Sequence, residues 1–297
     1  MRNFFLISGL IGSTCCFSNP VAEAIYVLNY ADNTVYHVDP FTGLSTLVTT
    51  TPIGSNIGCD DIKVISKDKA YVIADGQSKL YAVDLNTGAS TPVTTQIGPS
   101  YGTESFRLFC DTNAFVVSGV DNKVYSVNLA RGSSVPLTET LTNAQFLSDI
   151  AVKGNLAYVV DYVLMHIYIV NLNTGTFSTL IPDIPVAAGV GVDGIDVLGN
   201  TAYLTVVSAD ATLNQVYAVD LTTGHGTLIV DIPGVPELGH IVVVNEELAY
   251  TCGASNNLVY AINLKQNSYS ILTPTPVPGT IGPNAGLFGI DVQRVWE

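Results

Sequence analysis

Polar residues recur in five pairs along the chain, and each pair stands directly before an Ile or a Phe. The pairs are Asp60-Asp61, Glu104-Ser105, Ser148-Asp149, Asp193-Gly194 and Gly239-His240. Carboxylate oxygens that converge from several segments are the ligands that Ca²⁺ and similar hard cations prefer. If the fold brings the pairs together, a divalent cation such as Ca²⁺ could bind to Asp60, Asp61, Glu104, Asp149 and Asp193. The alternative is that each Asp caps backbone N–H groups where a strand begins.

His240 is the best acid–base candidate among the four histidines, because it belongs to one of these pairs. Imidazole titrates near neutral pH, so a histidine beside carboxylates could act as a catalytic group. The chain has no HExxH sequence, no Gly-x-Ser-x-Gly elbow, no phosphate loop and no dinucleotide-binding fingerprint. These absences favour a binding protein over an enzyme, with His240 as a weak catalytic candidate.

A second candidate contact lies at residues 161–166, which read Asp-Tyr-Val-Leu-Met-His where other copies of the repeat have polar turns. Turn positions normally face water, so we expect Tyr162, Leu164 and Met165 to form an exposed apolar patch. Such patches often mark interaction sites. The alternative is that these side chains pack beneath a neighbouring loop. Together with His240 they are the predicted ligand-binding or partner-binding residues.

A sequence repeat must position all of these residues. It reads aliphatic, Tyr, any residue, Val or Ile, then Asp or Asn, and its tyrosines are Tyr36, Tyr81, Tyr125, Tyr168, Tyr217 and Tyr260. The spacings of 45, 44, 43, 49 and 43 residues are typical of propeller blades, each a sheet of four short strands. In five copies a Gly follows four residues after the Asp or Asn, at a turn where a positive φ costs glycine little.

The order of the strands predicts how the ring closes. In each complete copy an inner strand such as residues 194–197 precedes a second strand such as residues 202–204. A second strand opens the repeat region at Ile25, and an inner strand at residues 289–292 ends it. We therefore predict an all-β protein over residues 25–297. It is a six-bladed propeller of four-stranded antiparallel blades, closed by the C-terminal strand joining the N-terminal blade.

These motifs resemble those of the NHL and YVTN-type β-propeller superfamily. The resemblance rests on the Gly-Ile-Asp-Val and Asp-Ile-Ala-Val inner strands, the Ala-Tyr-Val second strands and the Tyr-x-Val-Asp-x-x-Thr-Gly hairpins. It implies an architecture and no single activity, since propellers carry many functions. Lactonase and lyase propellers of related architecture use a set of Glu, Asn and Asp or His. That set does not match this chain residue by residue; Glu104, Asp149, Asp193 and His240 would be the candidates.

The charge balance restricts the partners. The 297 residues include 25 acidic and 11 basic ones, which gives a net charge of −14. A negative field repels nucleic acid and anionic lipid, and it attracts cations. Neither nucleic acid nor an anionic membrane surface is therefore expected as a partner.

The N-terminal residues predict export. Arg2, the apolar run at residues 4–11 and the Ala22-Glu23-Ala24 sequence form the pattern of a secretory signal peptide over residues 1–24. Cleavage near Ala24 would give a secreted or periplasmic protein. A buried first strand is the alternative, and the polar stretch at residues 13–20 fits it poorly. The apolar run is too short to span a bilayer.

Two further sets of residues are expected to be structural. Cys59, Cys110 and Cys252 have no metal-like spacing and are expected to be small buried residues, with a Cys59–Cys110 bridge as an alternative. The residues that follow each inner-strand Ile or Phe are expected to form the wall of the central channel. They are Lys63, Arg107, Ala151, Asp196, Val242 and Asp291.

The sequence favours a monomeric, exported binding module that recognises a protein, peptide or glycan. Long connections at residues 50–59, 182–192 and 274–287 would share one face of the ring, and long loops on a rigid scaffold commonly carry binding sites. The alternative is a metal-dependent hydrolase or lyase, lactonase-like, with its site at the channel mouth. A structural envelope scaffold is a third reading.

Overall fold

A computed structural model describes residues 22–54, 58–110, 112–186, 189–208, 213–234, 237–281 and 285–293. Most of the predicted signal peptide, residues 1–21, lies outside the described residues. So do short parts of the three long connections, at residues 55–57, 187–188 and 282–284. The part of the chain that the structure describes contains no helix long and apolar enough to cross a membrane.

The described strands form six four-stranded antiparallel sheets, which are the blades. Blade 1 contains β1 (Ala24–Asn29), β2 (Thr34–Val38) and β3 (Ser45–Leu47). Blade 2 contains β4 (Cys59–Ser66), β5 (Lys69–Ala74), β6 (Lys79–Asp84) and β7 (Ser90–Pro92). Blade 3 contains β8 (Thr103–Cys110), β9 (Asn113–Ser118), β10 (Lys123–Asn128) and β11 (Ser133–Pro136). A single 3₁₀ turn, Asp75–Gln77, joins β5 to β6.

Blade 4 contains β12 (Leu147–Lys153), β13 (Leu156–Asp161), β14 (Ile167–Asn171) and β15 (Phe177–Leu180). Blade 5 contains β16 (Val190–Leu198), β17 (Thr201–Ser208), β18 (Asn214–Asp220) and β19 (Gly226–Asp231). Blade 6 contains β20 (Leu238–Val243), β21 (Leu248–Gly253), β22 (Val259–Asn263) and β23 (Ser268–Ile271). The last strand, β24 (Leu287–Gln293), belongs to blade 1.

The ring closes where the sequence predicts. β24 pairs antiparallel with β1, with Val292 opposite Ile25 and Ile290 opposite Val27. The sheet order β24-β1-β2-β3 makes the C-terminal strand the inner strand of the first blade. The prediction of six four-stranded blades closed in this way is confirmed. Pairing with β24 gives β1 a neighbouring strand on both sides, so β1 has no unpaired edge.

The apolar core lies between neighbouring blades. Six clusters of buried side chains fill the six junctions. One cluster packs Leu28 and Val35 of blade 1 against Ile62 and Val72 of blade 2, all fully buried. Alternate residues of each strand therefore enter a junction, as the period of two in the sequence requires.

The glycine of the repeated hairpin also lies at a junction between blades. Gly88 has φ +71°, and a Cβ added to it would lie 2.1 Å from the carbonyl oxygen of Val48 in the preceding blade. Gly199 has a similar φ of +60° but no atom within 4 Å of its Cβ position. Both glycines therefore need a positive φ, and only Gly88 also needs room for a contact between blades.

This pair gives a first prediction. Gly199→Ala should lower the free energy of unfolding by about 1 kcal/mol, the usual penalty of a left-handed conformation. Gly88→Ala should cost at least about twice as much, because its methyl group also meets a backbone oxygen of the preceding blade. Denaturant unfolding of both variants measures the difference. Equal losses would mean that the turn glycines serve only their own backbone conformation.

The inner strands share an irregularity that positions the channel residues. Each pairing of an inner with a second strand shifts register near the start of the inner strand. Such a β-bulge inserts one residue and re-aims side chains. The residues at this position include Asp60, Glu104, Ser148, Asp193 and Phe288. The structure thus has two faces: a loop face, where inner strands begin, and a hairpin face, where they end.

Candidate functional site

The inner strands place polar side chains at successive levels of a central channel. The bulge residues Asp60, Glu104, Asp193 and Phe288 stand nearest the loop face, and we call them the loop-side ring. Below them lies the Asp61 cluster, which comprises Asp61, Ser105, Asp149 and His240. Lys63, Arg107, Asp196 and Asp291 come next, towards the hairpin face.

Asp61 organises its cluster. It is fully buried, and it forms ion pairs with Lys63 and with Arg107, whose Nη1 lies 3.4 Å from Oδ2. The Nδ1 atom of His240 lies 3.3 Å from Oδ1. Ser105 Oγ lies 2.7 Å from Asp61 Oδ2 and 2.5 Å from Asp149 Oδ1, so this hydroxyl connects the two carboxylates. Three cationic groups and two acids form a connected, buried network.

The same acids join neighbouring blades through backbone bonds. Asp149 accepts from the N–H of Ile150 in its own strand at 2.7 Å and from the N–H of Ile195 in blade 5 at 2.8 Å. Asp61, Asp196 and Asp291 also accept a hydrogen bond from a backbone N–H of the next blade. The capping alternative is therefore confirmed for Asp61 and Asp149, and it extends across the junctions, where inner strands do not pair in a sheet.

The charge states of the cluster follow from these contacts. Burial would raise the pKa of Asp61, but Lys63, His240 and Arg107 outweigh it and hold that pKa well below its usual range. Burial would lower the pKa of His240, but Asp149 and Asp61 outweigh it and raise it to about 9. His240 is thus an imidazolium at neutral pH. As a catalytic candidate it could donate a proton but not accept one.

The acids of the loop-side ring are in the opposite situation. Burial raises the pKa of Glu104 to about 8, with Asp75 and Asp193 adding to the effect. Burial likewise raises the pKa of Asp193 to about 7, although His240 opposes the shift. The pKa of Asp60 is raised by burial and then by Glu104, Asp75 and Asp193. These carboxyl groups disfavour one another's ionisation.

No cationic side chain forms an ion pair with these acids in the described part of the chain. Among the described residues, no Lys, Arg or His nitrogen lies within 4.0 Å of a carboxylate oxygen of Asp60, Glu104 or Asp193. Asp60 is only 8% exposed, and its Oδ2 has no hydrogen-bond partner in the described part of the chain. The same holds for Oδ2 of Asp193. A buried acceptor atom without a donor destabilises the folded protein, so these two oxygens call for an explanation such as a bound ligand.

Aromatic rings border the same acids. The rings of Tyr30 and Phe288 lie 5.4 Å apart. The pKa of Tyr30 is raised by burial and then by Asp60, Asp75 and Glu104, which shows that this hydroxyl stands among the acids. The sequence could have revealed Phe288, because it occupies the position of the polar pairs in the sixth inner strand. Tyr30 lies in a turn between strands, where no pattern marks it.

The predicted cation ligands separate into two levels. Asp61, Asp149 and His240 bring ligand atoms within 4.8 Å of one another. However, Lys63 and Arg107 already neutralise that level, so a divalent ion would have to displace them. Asp60, Glu104 and Asp193 form no such group among the described residues. The five predicted acids therefore do not fit one shared metal site.

The blade 4 turn differs from the expectation of an exposed apolar patch. Tyr162 is half-buried, because its ring covers Gly191 and meets Phe146 edge-on at 6.5 Å. Met165 packs partly against the core between blades 4 and 5, and Leu164 is also only partly exposed. Val163 is the large apolar residue of this turn that faces water. The alternative of packing beneath the neighbouring connection describes Tyr162 and Met165 better.

The cysteines follow the expectation in two of three cases. Cys59 and Cys252 are buried and Cys110 is exposed, because it ends its strand at the hairpin face. All three are free thiols, so the alternative of a Cys59–Cys110 bridge is wrong. The two residues stand at opposite ends of corresponding inner strands.

Comparison with known proteins establishes the architecture. No family model matches the chain, and neither does any curated protein sequence. A chain in the crystal structure of a nidogen/laminin complex is similar, with TM-score 0.66 and 12% identity over 90% of this chain and 97% of that one. The structure of streptogramin B lyase is also similar, with TM-score 0.61 and 13% identity over 92% of this chain and 88% of that one. At these identities the likeness shows a shared fold.

Proposed function

We propose that the protein is an exported binding module whose loop-side ring recognises a cationic group, such as a Lys or Arg side chain of a protein or peptide. One observation carries this proposal. Asp60, Glu104 and Asp193 form a mostly buried acidic mouth in which no carboxylate has an ion-pair partner among the described residues, while the acids one level below are paired with Lys63, Arg107 and His240. A ligand that brings positive charge would relieve this imbalance.

The surroundings of the acids favour an organic cation over a bare metal ion. Ligand atoms of Asp60, Glu104 and Asp193 do not converge within 4.8 Å in the described residues, so the mouth suits a group wider than an ion. The hydroxyl of Tyr30 stands among the acids and its ring lies 5.4 Å from that of Phe288, and aromatic faces attract ammonium and guanidinium groups. Arginine also offers paired donors to carboxylates.

The similar structures are consistent with more than one function for this fold. A nidogen/laminin complex shares the architecture, which is consistent with protein recognition by such a ring, whereas the similarity to streptogramin B lyase is consistent with an enzyme. A cationic peptide suits the acidic mouth better than a neutral glycan does, because hydroxyl groups would leave the carboxylates uncompensated. Val163 and Tyr162, near the same face, are the proposed outer contacts.

The proposal predicts selective loss of binding on neutralising the mouth. The peptide Ac-Gly-Arg-Gly-amide, titrated calorimetrically at neutral pH, should bind to the unchanged protein. It should bind at least about tenfold more weakly to Glu104→Gln. Glu246→Gln makes the same chemical change in an exposed turn on the hairpin face and should bind like the unchanged protein. Equal weakening in both variants would reduce the effect to net charge and contradict a local site.

A metal-dependent hydrolase or lyase is the second candidate, favoured by the proximity of Asp61, Asp149 and His240. In that reading the three side chains would hold a divalent ion that polarises a substrate oxygen. Their pairing with Lys63 and Arg107 weighs against it. Calorimetric titration with Ca²⁺, Mg²⁺ and Zn²⁺ decides the matter: heat that disappears in His240→Ala would support the enzyme, and no heat would remove it.

A further inference from the structure

A cavity of about 590 Å³ opens at the hairpin face, at the other end of the channel from the loop-side ring. Its lining comes from the C-terminal halves of the inner strands and from the turn after β4. Pockets that hold small molecules commonly have volumes of about 300–1,000 Å³. The sequence predicts only a structural wall for this part of the channel, and no sequence pattern marks a cavity there.

The side walls of the cavity are apolar. Ile65, Leu108, Phe109, Val152 and Leu198 contribute to them from four different blades. Phe109 is 50% exposed, and its ring has one aromatic neighbour, Phe115, edge-on at 5.6 Å. An aromatic side chain that lines a concave surface and remains half in water offers contact area that the fold itself does not use.

The floor of the cavity is polar and balanced in charge. Lys63, Arg107, Asp196 and Asp291 line it, two bases and two acids. Lys63 and Arg107 pair with Asp61, and Arg107 Nη2 also donates to a backbone carbonyl. Asp196 and Asp291 accept backbone N–H groups of the next blades. On this floor a ligand with a net charge would find no uncompensated partner, whereas an uncharged group can add hydrogen bonds to the donors and acceptors there. The two remaining charged residues of the lining, Lys67 and Glu23, again carry one charge of each sign.

We propose that this cavity is a second binding site, which takes an amphipathic small molecule with a hydrocarbon body and an uncharged, hydroxyl-bearing end. The polar end lies on the charged floor, and the hydrocarbon body lies along the apolar walls up to Phe109. The Asp61 cluster separates this site from the acidic mouth. The two sites therefore bind ligands of different chemistry and can be tested independently.

The probe is 1-N-phenylnaphthylamine, an uncharged fluorophore that brightens in apolar surroundings. It should bind the unchanged protein, and three competitors of equal chain length should displace it in a definite order. We expect 1-decanoylglycerol to displace it at concentrations about tenfold lower than decanoate or decylamine do. Displacement that is strongest for either charged competitor would overturn the assigned ligand chemistry. This order is measured without any substitution.

Filling the cavity gives the second arm. Leu198→Trp and Ile65→Trp each place a large side chain in the cavity from a partly exposed position, and each should weaken probe binding at least tenfold. Val135→Trp makes the same kind of change on the exposed outer strand β11 and should leave binding unchanged. Unchanged binding in both cavity variants, with thermal unfolding showing that they are folded, would overturn the site. Loss of peptide binding in Glu104→Gln should not alter probe binding.

Discussion

Replacing Asp61 by Asn is expected to destabilise the protein by about 3–5 kcal/mol, the usual range for removing one partner of a buried charge network. The change keeps the shape of the side chain but removes the negative charge shared by Lys63, Arg107 and His240. An amide also cannot accept from all the donors that now meet the two carboxylate oxygens. Denaturant unfolding near neutral pH measures the loss.

The neighbouring residue supplies the matched control. Asp60→Asn makes the same chemical change one position earlier in β4, where the carboxyl group has a raised pKa and one oxygen without a hydrogen-bond partner. Removing that acid should leave stability unchanged or raise it at mildly alkaline pH. Opposite effects of two adjacent, identical substitutions would be difficult to attribute to packing. If both variants lost a similar free energy of unfolding, Asp61 would not differ from Asp60 in being stabilised by ion pairs, and the account would be contradicted.

Stability is expected to fall by roughly 3 kcal/mol or more as the pH rises from about 5 to about 9, since one unit of pKa difference is about 1.4 kcal/mol. The pKa of Glu104 rises from 4.5 to about 8 on folding, and that of Asp193 rises from 3.8 to about 7. Between those values the folded protein binds more protons than the unfolded chain, so its stability decreases with rising pH. His240, raised from 6.5 to about 9, acts in the same direction over its own interval.

Asp61 limits the trend at the acidic end. Its pKa is lowered on folding, so its contribution is present above the usual range of an Asp and is lost as the pH falls below it. Maximal stability should therefore lie near pH 4–5, where the loop-side acids are protonated and Asp61 is still ionised. The double variant Glu104→Gln, Asp193→Asn should have a flatter profile. A profile that rises with pH in the unchanged protein would contradict the raised pKa values.

The ring and its closure could be predicted from the sequence because they depend on local signals that repeat. Tyr36 and its five equivalents mark the third strands, and the turn residues that follow mark the hairpins. The position of Gly289 to Val292 after the last complete repeat fixed how the ends join. Each of these features is a matter of periodicity and turn chemistry, which a single chain displays.

The charge network could not be predicted, because it depends on pairings between blades. The sequence suggested Asp60 and Asp61 together as metal ligands. In the structure a β-bulge places Asp60 one level above Asp61, and Lys63 and Arg107 form ion pairs with Asp61 but not with Asp60. Lys63 was assigned to the channel wall, and nothing in the sequence shows that it turns towards Asp61. The sequence also left open whether Tyr162 is exposed or packs beneath a neighbouring loop, since the glycine that it covers lies in the next blade.

The most direct test of the acidic mouth is the number of protons released when the arginine peptide binds. Titrations near pH 7, in two buffers of different ionisation enthalpy, give that number from the difference in heat. A bound cation favours ionised carboxylates, so binding to protonated Glu104 and Asp193 should release about one proton per peptide. Binding without proton release, or with proton uptake, would contradict the account.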